Sequence, residues 1–123
     1  MFSHIDDPAF GEPDGLCMDS TGGVWSARWQ AGKVVRLSPE GVIDVIIEFP
    51  TAWHMTCVVF GGRSISGVLP DDSGETLQDL YVTTAKTDYN GEILPDRSDG
   101  GHLFVVMDTG YKGVERNRYV GDL

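Results

Sequence analysis

The stretch EPDGLCMDSTGGVWSARW, residues 12–29, sets Asp14 against Gly15 just ahead of an apolar run. A carboxylate held where the backbone turns inward has two chemical uses. It is a hard oxygen ligand for a cation such as Ca²⁺ or Mg²⁺, with Zn²⁺ less selective for it, and it is a general base toward water. Asp-Gly is also a frequent turn dipeptide, so residue type and position alone leave the choice open. Arg28, Trp29 and His54 are further side chains able to grip a polar or sugar-like ligand, although rim packing is their commoner use.

Other chemistries fail on spacing. Asp71, Asp72, Gly74 and Glu75 resemble a calcium loop, but an EF-hand pattern would have to begin on Leu69, and the run from Asp88 to Gly91 would begin on Lys86. There is no GxSxG, phosphate-binding loop or dinucleotide fingerprint. Cys17 and Cys57 fit no CxxC or zinc spacing and read as buried thiols.

Charge narrows the partners. With 19 acidic against 9 basic residues the net charge is −10, which repels nucleic acid and favours cations or small polar ligands. Lys112, Arg116 and Arg118 are too few for a basic stripe. No run approaches the ~20 apolar residues of a membrane span, and the beginning MFSHIDDPAFGEP lacks the basic and apolar regions of a secretory signal, so a cytoplasmic location is the default expectation.

The elements that must hold these residues are strands. Glycine is frequent (16 of 123), and short runs rich in Val, Ile, Phe and Trp alternate with turn residues, so helix is not expected. Strands are predicted near 15–19, 24–29, 33–38, 43–49, 56–60, 79–85, 102–107 and 116–120. The first four can be laid on the last four: LCMD (16–19) on CVVF (57–60), VWSAR (24–28) on LYVTT (80–84), and GKVVRLSPEG (32–41) on GHLFVVMDTG (101–110). Trp25 then stands over Tyr81, and the growing offset leaves two insertions, one at 62–78 and one at 86–100. A four-stranded unit repeating after roughly forty to fifty residues is a β-propeller blade. Its innermost strand is expected to be packed on both faces, and VIDVIIEFP fits an outer strand whose acidic residues reach water.

In chain order, PDGLCMDSTGGVWSARW, GKVVRLSPEG, FGG, LYVTTA and GGHLFVV resemble the senescence marker protein (regucalcin), gluconolactonase and luciferin-regenerating enzyme family, as does the terminal GYKGVERNRYVG. The resemblance implies a six-bladed propeller with a divalent cation, Ca²⁺ before Zn²⁺ or Mg²⁺, in its central channel, hydrolysing lactones. It implies that Asp14 is a metal ligand and the general base. The family's glutamate and asparagine ligands fall in segments this chain lacks, so those roles do not transfer. By strand direction Arg28, Trp29 and His54 end at the channel mouth as candidate substrate contacts, and the 86–100 insertion lies over it as a lid.

The chain covers about two blades, expected as a single partial propeller: 1–10 the end of a preceding blade, 11–50 the first blade and 51–123 the second with its insertions. It is a fragment of a longer product, a chain that builds a six-bladed ring from three copies, or a variant that seals its edges differently. In a threefold ring three copies of Asp14 would converge on one axial cation. The functional expectation is a metal-dependent lactone hydrolase or a piece of one. The alternative is a non-catalytic module binding a ligand or protein through its open edges.

Overall fold

The computed structural model describes residues 3–62 and 77–114. A short 3-10 turn, Pro8–Phe10, leads into seven strands: β1 Glu12–Met18, β2 Val24–Trp29, β3 Lys33–Leu37, β4 Ile43–Glu48, β5 His54–Gly61, β6 Asp79–Ala85 and β7 Leu103–Val106. They form two antiparallel sheets ordered β1-β2-β3-β4 and β5-β6-β7. This is the all-β, two-blade architecture expected from the strand pattern. The expected strand at 116–120 and the calcium-loop resemblance at Asp71, Asp72, Gly74 and Glu75 lie outside the described residues. Residues 3–6 form no strand.

The repeat is real, with one correction. Trp25 pairs with Arg36 in the first sheet, and Tyr81 pairs with Val105 in the second, as the alignment of the second and third strands requires. The first strands, however, align one residue differently: Leu16 faces Ser26 and Val58 faces Val82, so Leu16 is equivalent to Val58, not Cys57. Both strands bulge by one extra residue near their starts, at Asp14-Gly15 in β1 and at Thr56 in β5. A slip of one residue exchanges the two faces of a strand, so the corrected register decides which side chains point where.

The sheets pack through one face each. Trp25, Ala27 and Val34 from the first meet Met55, Val58, Phe60, Leu80 and Val82 from the second in a single buried cluster. Trp25 sits edge-on to Phe60 and Tyr111, with ring centroids 5.6 and 5.4 Å away. Burying such side chains stabilises the fold by about 1.5–3 kcal/mol each. β4 alternates as expected of an outer strand, with Asp44 and Glu48 exposed. β1 does not follow expectation: it is covered on one face only, and the most enclosed strands are β2 and β3. On the other face of β1, Leu16 is 62% exposed. Cys57 is likewise exposed on the open face of the second sheet, and Cys17 is half-buried; burial first, then Cys57 and Asp19, push the Cys17 thiol up to about 12.

A buried carboxylate that composition did not single out ties the first sheet together. Asp19 accepts hydrogen bonds from the Thr21 and Gly23 amides, the Thr21 hydroxyl, Trp25 Nε1 at 2.8 Å and Arg36 Nε at 2.7 Å. Its backbone bridges to Gly113, which joins the tail to the first sheet. Burial alone would raise its pKa, but the bonds from Arg36, Thr21, Trp25 and Gly23 outweigh that and hold it well below the usual carboxylate range.

Gly15 is required for space, not for a left-handed backbone. A Cβ there would lie 2.7 Å from the Thr56 carbonyl oxygen and 2.8 Å from the Cys57 Cα and Sγ. Gly15→Ala must therefore prise β1 from β5, and a loss of about 1–3 kcal/mol is expected in urea unfolding.

Candidate functional site

The candidate site follows from the start of β1. The register passes from Pro13 opposite Arg28 to Leu16 opposite Ser26, so Asp14 and Gly15 together oppose Ala27 alone. A bulge of this kind bends the strand and re-aims its side chains, and bulges are enriched beside functional sites. β1 is the free edge of its sheet and packs against β5, so the bulge stands where the innermost strands of the two sheets meet. Asp14 is exposed there, and among the described residues no hydrogen bond or ion pair engages its carboxylate.

Two of the other expected residues join this end of the sheets. Trp29 pairs with Glu12 at the start of β1, and its ring lies 4.3 Å from that of His54, tilted by 40°. His54 is buried at the start of β5. Burial pushes its imidazole below the ordinary value, and Asp88 works in the opposite direction. A neutral imidazole at neutral pH both donates and accepts a hydrogen bond.

Arg28 is placed differently from expectation. Its Nε donates to the Phe10 carbonyl at 2.7 Å, Nη2 to the Gly11 carbonyl at 3.1 Å and Nη1 to Ser26 Oγ. The side chain is buried and braces the segment leading into β1, so its donors are spent on the protein. Arg28 thus positions the strand that carries Asp14, a role that residue type did not reveal because its partners are main-chain carbonyls.

The 86–100 insertion returns to the same end, since Ala85 pairs with His54. The Asp99 amide donates to the Thr51 carbonyl, and Arg97 donates to the Pro50 and Phe49 carbonyls while lying 4.7 Å over the Trp53 ring. Asn90-Gly91 is the tight turn its residue types suggest, with the Gly91 amide bonded to the Asp88 carbonyl. These bonds anchor the later part of the insertion, and the charge of Asp88, in its earlier part, acts on the His54 imidazole.

The arrangement offers the exposed carboxylates of Glu12 and Asp14 at the end of the sheets that carries the Trp29–His54 pair. It does not by itself fit a divalent cation. Among the described residues no three His, Cys, Asp or Glu side chains are gathered so as to share an ion, whereas Ca²⁺ takes six to eight oxygens. No helix of the described residues is long and apolar enough to cross a membrane.

Residues 1–86 match the sequence profile of the SMP-30/Gluconolactonase/LRE-like region. The chain is 38% identical over 96 residues to 6-deoxy-6-sulfogluconolactonase of Pseudomonas putida, covering 78% of this chain and 28% of that protein. It is 32% identical over 120 residues to L-arabinolactonase of Azospirillum brasilense, covering 98% and 34%. The crystal structure of a calcium-binding protein, regucalcin, from Agrobacterium tumefaciens superposes with a TM-score of 0.62 at 23% identity, over 95% of this chain and 36% of that one. The chain thus spans about a third of the length of the curated relatives it matches.

Proposed function

Because the chain belongs to the SMP-30/gluconolactonase/LRE-like family, we propose that it supplies two blades of a lactone hydrolase and that Asp14 is the carboxylate these blades contribute to the reaction site. The observation that carries this reading is the unengaged, exposed Asp14 on a bulge at the innermost edge, supported by two relatives named as sugar lactonases.

Asp14 acts as the general base. It takes a proton from a water whose oxygen bonds to the lactone carbonyl carbon; the carbon–ring oxygen bond then breaks, and the released alkoxide collects the proton to give the open hydroxy acid. The Trp29 face stacks against the sugar ring, and His54 hydrogen-bonds a ring hydroxyl. Asp14 would also serve as one oxygen ligand of a divalent cation, Ca²⁺ first and Mg²⁺ or Zn²⁺ after it, which would polarise the lactone carbonyl.

The test is hydrolysis of a panel of aldonolactones followed by acid release, with and without chelator. Turnover that chelator abolishes and Ca²⁺ restores is expected. No turnover with any of the three metals removes the hydrolytic reading and leaves a ligand-binding module.

A further inference from the structure

The two bulges occupy the same place in the repeat. With Leu16 equivalent to Val58, counting back along both strands makes Asp14 the equivalent of Thr56 and Gly15 that of Cys57. In the first sheet Asp14 and Gly15 oppose Ala27, and in the second Thr56 and Cys57 oppose Thr83. The bulges also abut, because a Cβ on Gly15 would lie 2.7 Å from the Thr56 carbonyl oxygen. The second sheet therefore sets a hydroxyl where the first sets its carboxylate, on the neighbouring innermost strand and at the same end of the sheets.

Thr56 is half-buried, and its Oγ1 lies 2.7 Å from Oγ1 of Thr83, which is exposed. Two hydroxyls carry two protons and share only one between them. The further bond open to Thr83, to the Cys57 carbonyl, is long and weak at 3.5 Å. The pair thus keeps a donor and spare lone pairs for a third group that both gives and accepts a hydrogen bond, which is the chemistry of an alcohol. Cross-strand threonine pairs also serve as plain sheet contacts. What sets this one apart is its place against the bulge that carries Asp14.

We propose that Thr56, oriented by Thr83, hydrogen-bonds the hydroxyl on the carbon next to the lactone carbonyl and so selects 2-hydroxy lactones. The inference rests on the lactone reading and names how the same site places its substrate. With Asp14 drawing the proton from the attacking water, the carbonyl carbon lies at the first bulge, and a group gripped at the abutting bulge is a near neighbour of that carbon. Thr83 donates to Thr56 and leaves the Thr56 proton to the ligand.

The test is calorimetric binding of two aldonolactams, in which a ring N–H replaces the ring oxygen so that the amide resists hydrolysis, one with the 2-hydroxyl and one 2-deoxy. The protein is expected to bind the 2-hydroxy lactam about 10-fold more tightly, the worth of one well-placed neutral hydrogen bond. Thr56→Ser should keep that preference and Thr56→Val should abolish it. Thr83→Ala, which installs the residue the first sheet carries at this place, should reduce it, and it decides the matter if Thr56→Val does not fold. A protein that binds neither lactam, or both alike, overturns the proposal. An unchanged preference in Thr56→Val overturns it too, because a structural role would weaken both lactams equally. Selective binding without turnover of the corresponding lactones would keep this assignment and remove the hydrolytic reading, so the two fail separately.

Discussion

Asp19→Ala is expected to cost about 3–5 kcal/mol of folding stability, the range for removing one partner of a buried ion pair. The loss has a definite origin. Arg36 would keep Asp44 and its place over the Tyr111 ring, but its Nε, the Trp25 indole N–H and the Gly23 amide would all lose their common acceptor. Against a typical total of about 5–15 kcal/mol, this is a large share. Urea unfolding followed by tryptophan emission measures it, since Trp25 reports on the core.

The same residue sets an acid limit. The native pKa of Asp19 is depressed, so its contribution is complete above the unfolded carboxylate value of about 3.9 and is lost as pH falls through the native value. Stability should therefore decline below about pH 4. Asp19→Asn should be less stable near neutrality but show a shallower decline, because the titrating group is gone. Equal slopes in wild type and variant would exclude Asp19 as the source.

Asp14→Asn is expected to do the reverse, leaving the fold intact while reducing lactone turnover by about 10²–10⁴-fold, the contribution of a positioned general base. The side chain is exposed and makes no bond within the described residues, so urea midpoints should coincide with wild type. Calorimetric titration with Ca²⁺, Mg²⁺ and Zn²⁺ of wild type and Asp14→Ala supplies a second readout. Identical titrations would remove Asp14 from any cation site. Unchanged turnover would remove it from catalysis.

Much of the fold was legible because strand signals are local. The runs at 24–29 and 79–85 coincide with β2 and β6 to the residue, and the repeat brought Trp25 over Tyr81. Asp19 escaped notice because most surface carboxylates in an acidic chain only keep it soluble. What distinguishes Asp19 is enclosure by Arg36, seventeen residues away on another strand. The short-range hint was present in DSTGGVW, where an aspartate precedes a tight Thr-Gly-Gly turn and a tryptophan whose N–H needs an acceptor.

Alternation of apolar residues, turn chemistry and an internal repeat were enough to determine seven strands, their two-sheet grouping and the presence of Asp14 at the start of the first, since each depends on neighbours a few residues apart. Only the tertiary structure decided which strand face is covered, that Arg28 is spent on carbonyls while Trp29 meets His54, and that Gly15 serves a close approach to Thr56 and Cys57. Those outcomes turn on where the bulges fall and on contacts between sheets, and a bulge of one extra residue reverses every side chain beyond it without leaving a mark in composition or period.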